Sequence, residues 1–418
     1  MRALIQEGAR ARVSDLRAVF GIRAFAIYQI GGIVMTTGFW MQRVAVGWVT
    51  WQLTGSEAWL GFMAFAELFP SIFTGLWGGR LSDRAGAPVV MFWGNLALVL
   101  VSLALFALDV TGGLTAWRIL ALMTLIGGIS GLILPPRLAM SSFLVPARVL
   151  PAALAVNSIG FNMSRFIGPA IAAGVMVVGA PWVVFACSAA GYGAFSLALW
   201  LIRKTPPQSV ATRRAGDNGS TWAALRALIT TPLVLAVILI QLVVGMLIRP
   251  ATELFPAFAE TVFNRGEAGL GYLNAALGLG AILGALLLSR SRSGAESLRQ
   301  IVWGSVVFGV TILAFVVTGQ FWLALAILVV HGIAMTSSNI AALTYVQTHT
   351  APDRLGRVLS AYALVFRAGP AIGAFLFGAT AEGIGLMATG LGFGVIGLAA
   401  TAVLGLFIYR HQQTVTAA

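Results

Sequence analysis

The chain has 418 residues, of which 59% are apolar and only 9% charged, with a mean hydropathy of +0.93. A soluble domain carries about 25% charged residues, so an ordinary cytosolic enzyme is excluded. The formal charge of +13 does not point to nucleic acid, because the basic residues are scattered between apolar runs instead of gathered on one domain. The one cysteine, Cys187, lies in an apolar run, which excludes a disulfide framework and a cysteine-rich zinc site; no cofactor or metal is expected.

The first segment carries Arg2, Arg10, Arg12, Arg17 and Arg23 among Glu7 and Asp15, with no short apolar core followed by a small-residue cleavage site. It reads as a retained cytoplasmic arm and not as a signal peptide. About 20 apolar residues are needed for a helix to cross the hydrocarbon layer. Twelve stretches qualify: 24–51, 58–78, 89–108, 116–134, 152–178, 182–202, 232–258, 268–289, 300–317, 321–343, 357–379 and 386–408. The predicted fold is therefore an all-α membrane protein of twelve transmembrane helices.

Basic residues favour the cytoplasmic side. With the N-terminus inside, that side receives Arg80, Arg84, Arg137, Arg148, Arg203, Lys204, Arg213, Arg214, Arg226, Arg290, Arg292, Arg299, Arg354, Arg357 and Arg410. The outer loops keep only Arg118 and Arg265, beside Glu57, Asp109, Glu260, Glu267 and Glu382. Both termini are thus expected in the cytoplasm.

The long polar interruption, 203–231, holds Pro206, Pro207 and the run Gly216-Asp217-Asn218-Gly219-Ser220. It divides the chain into an N-terminal six-helix bundle over 1–202, a cytoplasmic linker and a C-terminal six-helix bundle over 232–418. Trp222 to Leu228 is read either as an interfacial helix or as an extension of the next span. Shifting the sequence by 210 positions places Glu57, Ala58, Leu60, Gly61, Ala66, Ile72, Leu76 and Arg80 on identical residues between Glu267 and Arg290. Ser158, Arg165 and Gly168-Pro169 are echoed by Ser360, Arg367 and Gly369-Pro370. Both signals indicate duplicated, parallel halves.

Between the second and third spans, Gly78-Gly79-Arg80-Leu81-Ser82-Asp83-Arg84-Ala85-Gly86 reads as a short charged turn, with Gly79 and Gly86 serving chain reversal. With it stand Trp40 to Trp48 running into Leu53-Thr54-Gly55-Ser56, then Leu144-Val145-Pro146, Ala155 to Ser158, Arg165 to Pro169, Leu254 to Ala259 and Arg354 to Ser360. On these segments, nearly the whole chain resembles the major facilitator superfamily. Within it, the chain is similar to the branch of bacterial exporters that includes enterobactin-exporter-like and transmembrane secretion effector proteins. The superfamily turn ends in Gly followed by two basic residues, whereas here Ala87 and Pro88 follow Gly86. The resemblance implies an inner gate motif of Gly79, Asp83, Arg84 and Gly86, with Asp83 bracing the start of the eleventh helix. The alternative is a solvated turn acid.

A charge inside a span costs about 2.5 to 3.5 kcal/mol on insertion scales and marks function by default. Arg43, Glu67, Arg165, Arg249, Glu253 and Arg367 lie in spans, and Glu67 is the acid nearest mid-depth. A carboxyl in apolar surroundings can load and release a proton, so Glu67, Glu253 and His331 are the proton-coupling candidates. Glu67 is equally readable as a fixed bridge to Arg367, and His331 as a hydrogen-bonded core histidine. Arg43, Arg165, Arg249 and Arg367 are candidates for substrate binding or gating. Glu253 has two possible partners, Arg43 across an outer gate and Arg249 one turn away. Trp40, Trp48, Phe62, Phe65, Phe69 and Tyr272 offer a cavity wall or face lipid.

The family resemblance implies a monomeric secondary transporter in a bacterial inner membrane, exporting a small molecule against a flow of protons by alternating access. Four arginines against two glutamates favour neutral or anionic amphipathic cargo, of drug, siderophore or lysolipid type. An uptake permease shares the fold. An ATP-driven pump lacks the Gly-Lys-Ser/Thr phosphate loop, since the sole lysine, Lys204, follows Arg203. An intramembrane enzyme lacks His-Glu-x-x-His and Gly-x-Ser-x-Gly.

Overall fold

The computed structural model describes residues 18–206, 231–287 and 294–417. The expectations for the N-terminal arm, most of the linker, Trp222 to Leu228, Arg290 and Arg292 fall outside these residues. Twelve helices among the described residues are long and apolar enough to cross a membrane, and no strand occurs among those residues. In hydrocarbon each backbone N–H and C=O must be satisfied within its own segment, which leaves the helix as the natural solution for such sequences.

In chain order the helices are α1 Arg23–Thr54, α2 Glu57–Ala85, α3 Ala87–Val110, α4 Ala116–Leu144, α5 Leu150–Val178 and α6 Pro181–Ile202. The second half holds α7 Pro232–Val262, α8 Gly266–Leu287, α9 Gly294–Val317, α10 Phe321–Thr348, α11 Pro352–Ile384 and α12 Leu386–Ala417. Proline in the first turn opens α3, α5, α6, α7 and α11, where its missing N–H costs nothing. Gly86, at φ +86°, is the whole connection between α2 and α3, and Gly385, at φ +87°, separates α11 from α12. Both conformations are disfavoured for residues with a Cβ.

The helices fall into two compact units, Met1–Ala45 with Pro70–Arg213, and Val46–Phe69 with Arg214–Ala418. Within the first, α3 packs on α4 and α6, and the second part of α2 on α4. Within the second, α10 packs on α8 and α9, α12 on α9, and the first part of α2 on α11. The helix pairs α2–α4 and α3–α6 of the first half thus recur as α8–α10 and α9–α12 in the second, as a duplication requires.

Three local expectations change. The motif at 78–86 is not a turn: α2 stays helical through Ala85, and only Gly86 leaves the helix. Gly79 has open space where a Cβ would be, whereas a Cβ on Gly78 would lie 2.8 Å from the backbone of Leu132 in α4. Gly78, and not Gly79, is therefore demanded by the fold. The fourth span, expected to end at 134, runs on through Pro135 and Pro136 to Leu144; α4 is packed against α2 and α3, and that packing outweighs the cost of about 3 kcal/mol of a proline inside a helix. Finally, α7 is irregular, with wide π-type turns at Val244–Ile248 and Phe258–Val262 flanking a tight 3₁₀ stretch at Arg249–Leu254. Pro250 and Pro256 remove two backbone donors in that region.

Gly78→Val is expected to lower the thermal midpoint of the detergent-purified chain by forcing α2 from α4, an overpacking cost of about 1–3 kcal/mol or more. Gly79→Ala leaves the midpoint unchanged or raises it, since alanine is favoured over glycine in a helix by about 1 kcal/mol. Equal destabilisation by both changes would contradict the assignment.

Candidate functional site

Glu67 is 7% exposed and is the one Asp, Glu, Lys or Arg among the described residues whose side chain is buried. It lies in the last turn of the first part of α2, Glu57–Leu68, just before the break that precedes Pro70. Phe69 still donates its N–H to Phe65 O at 2.8 Å. Pro70 has no N–H to offer, so the carbonyl of Ala66 loses its ordinary helical donor. The chain also passes from the second unit to the first at Phe69–Pro70.

The first part of α2 is held on α11 by a close antiparallel seam. A Cβ on Gly61 would lie 3.1 Å from the Ala374 carbonyl carbon and from Gly378 Cα, and one on Gly378 would lie 2.5 Å from Glu57 O. Phe375 sits between Phe62 and Phe65, with ring centroids 6.0 and 5.7 Å away, and Phe65 stacks on Phe69 at 4.5 Å. Followed along both helices, this register puts Glu67 at about the level of the half-buried Arg367 of α11.

At the start of α2, Ser56 is the N-cap: its hydroxyl accepts from Trp59 N–H at 3.2 Å. The same hydroxyl donates to Glu382 Oε2 at 2.8 Å, and Ala58 N–H donates to that oxygen at 3.2 Å. A carboxylate from α11 thus satisfies otherwise unpaired groups at the N-terminus of α2, where negative charge is favoured. Nearby in the chain, Trp48 Nε1–H donates to Glu267 Oε1 at 2.8 Å. These acids read as loop residues in the sequence, yet they fasten helix ends. Ser56 was recognisable as a cap from its place before an apolar run; Glu382, 326 residues away, carried no local signal.

In the first unit, α5 crosses α1 closely. A Cβ on Gly168 would lie 2.7 Å from Trp40 Cβ and 2.9 Å from Thr37 O. Thr37 Oγ1 donates to Ser164 Oγ at 3.1 Å, and Ser164 Oγ donates to Ile33 O at 3.2 Å. The crossing sets two half-buried arginines around one indole: the guanidinium carbons of Arg43 and Arg165 lie 5.7 and 5.4 Å from the centre of the Trp40 ring. A third arginine was missed. Arg137, assigned by sequence to a cytoplasmic loop, lies in the extended α4 and donates from Nη2 to Thr36 Oγ1 of α1 at 2.8 Å. Ending the fourth span at residue 134 concealed it.

In the second unit, Arg249 lies over Phe366 of α11 at 5.9 Å, and Glu253 follows it on the 3₁₀ stretch of α7. Arg43 and Glu253 belong to different units. His331 of α10 is fully buried, its ring 4.1 Å from Phe308 and its Nδ1 2.9 Å from Thr311 Oγ1, both of α9. The Thr311 hydroxyl is also 2.8 Å from Val307 O. When it donates to that carbonyl, it accepts from His331 Nδ1–H. Asp83 and Arg84 are exposed on the last turns of α2.

A family model described as transmembrane secretion effector matches residues 16–416. The enterobactin exporter EntS of Salmonella typhi is 28% identical over 422 aligned positions, covering 95% of this chain and 94% of the relative. EntS of Escherichia coli K12 is also 28% identical, over 95% of this chain and 93% of the relative. Among solved structures, a bacterial homologue of the human lysosomal transporter Spinster matches with a TM-score of 0.70 at 13% identity, over 93% of this chain and 97% of its own. The nucleoside transporter NupG matches at 0.68 and 14% identity, over 93% and 99%. At such identities these two structures show the fold alone. The chain belongs to the transmembrane secretion effector family of the major facilitator superfamily, and is a multi-pass inner-membrane transporter and not an enzyme.

Proposed function

We propose that the protein exports small amphipathic molecules, neutral or anionic, in exchange for protons by alternating access, with both termini in the cytoplasm. The family and the exporter named among the relatives support the direction, and the arginine-poor loops of one side support the placement of the termini. The observation that carries proton coupling is Glu67, the one buried carboxylate among the described residues, at the broken turn of α2. A charge at such a place costs about 2.5 to 3.5 kcal/mol, and taking up a proton removes that cost. Arg367, at about the same level on α11, is the cation whose attraction would fall away when Glu67 is neutral. The interrupted helix beside it is where a change of charge most easily becomes a change of shape.

In this orientation the Ser56–Glu382 clasp lies on the outer face, on the seam of α2 and α11, and serves as a fastening that the cycle must release. Export then needs both events: neutralisation at mid-depth and opening at the outer end of the same seam.

In vesicles with an imposed pH gradient, a panel of amphipathic acids beginning with enterobactin is expected to show gradient-driven transport in the native chain. Glu67→Gln should reduce that drive at least about tenfold while leaving gradient-free counterflow. Transport that keeps its pH dependence in Glu67→Gln contradicts the assignment. For the clasp, Glu382→Ala should speed hydrogen exchange at the Ala58 amide by about fivefold or more, as the loss of a charged acceptor worth about 1–2 kcal/mol implies, with Glu382→Gln in between. Unchanged protection would mean that the fastening is not there.

A further inference from the structure

We propose that Trp40, Arg43 and Arg165 form an anion subsite between α1 and α5, which takes the oxyanion of an organic acid carrying an aromatic or apolar body. It rests on the reading of the protein as a transporter of amphipathic anions and deepens it.

The first observation is the pair of guanidiniums about one indole, 5.7 and 5.4 Å from the ring centre. Cations are attracted to the ring face, which holds both groups in place beside Trp40. A guanidinium has five N–H donors in a planar fork that matches a carboxylate. A contact elsewhere therefore still leaves donors for a ligand.

The second observation is independent of charge. Trp40 Nε1 is buried and has no hydrogen-bond partner in the structure. A buried donor left unsatisfied costs about 1–3 kcal/mol, and such a group calls for an explanation. An oxyanion beside the indole accepts this N–H together with a guanidinium N–H.

The third is the wall. Phe161, one helical turn before Arg165, meets the Trp40 ring edge-on at 6.2 Å and is 41% exposed. An apolar body attached to the anion has an aromatic surface to lie against. The site is also rigidly built, since Gly168 and the Thr37–Ser164–Ile33 hydrogen bonds fix α5 on α1 just behind it. Rigid support of this kind is what a binding constellation requires.

The test uses the purified full chain in nanodiscs and two probes of one shape, 2-naphthoate and the neutral 2-naphthamide, with affinities from titration calorimetry. The native chain should bind the naphthoate about tenfold or more tightly than the amide. Arg165→Gln and Arg43→Gln should each erase that preference, while Trp40→Phe, which keeps a ring and deletes the N–H, should weaken naphthoate binding several-fold. Monodispersity and thermal midpoint establish that each variant is folded, and Trp40→Phe is the mildest of the three. Absence of naphthoate binding to the native chain, equal affinity for both probes, or unchanged affinities in the folded variants would each overturn the subsite. The measurement needs no pH gradient. If binding follows the expected pattern while gradient-driven transport fails, the proton-coupled exporter reading falls and the subsite stands; the converse result removes the subsite alone.

Discussion

Hydrocarbon offers no hydrogen bonds and little shelter for charge, and that constraint shapes each level of this protein. It makes the chain twelve helices, because only a helix satisfies its own backbone. It also makes helix association depend on close contact, since apolar side chains gain nothing by leaving lipid for one another. The seams accordingly run through glycine: Gly78 against Leu132, Gly61 against Ala374 and Gly378, Gly168 against Trp40. Finally, it makes each charge in a span an exception to be explained. Glu67 is buried at a helix break, Arg43 and Arg165 flank an indole, Arg249 lies over a phenylalanine ring and Arg137 reaches a threonine.

The same constraint explains what the sequence reveals. Apolar runs of membrane length are unmistakable, so the spans were legible, as was Glu67 as an acid within one of them. The duplication was legible too, and it reappears as matching helix pairs. What escaped depends on partners distant in sequence. Nothing in Gly78-Gly79 says which glycine faces α4, because that is settled by where Leu132 falls. Pro135-Pro136 signals an end by local rule, yet packing carries α4 on and takes Arg137 with it. Glu382 looks like a loop acid until α11 is laid beside the start of α2. The arginines were legible as a set, but not that two of them share Trp40.

These features suggest a division of labour along the chain. The α2–α11 seam of the second unit joins a buried acid to a clasp at its far end, both on one helix, so the proposed proton loading and the proposed release of the fastening have a common mechanical element. The α1–α5 crossing of the first unit holds the cationic, aromatic cluster and is built on fixed contacts. In this proposal, coupling and recognition rest on different helix pairs. A chain of this kind can keep its coupling machinery while its cargo changes through residues around Trp40.

The central claim is that Glu67 is the group that takes up and gives back the proton. Difference infrared spectroscopy of the reconstituted protein, following the carbonyl stretch of protonated carboxyl groups as pH is varied, reads this directly. The account predicts a titrating band in the native chain that disappears in Glu67→Gln. A titrating band of undiminished size in Glu67→Gln would contradict it.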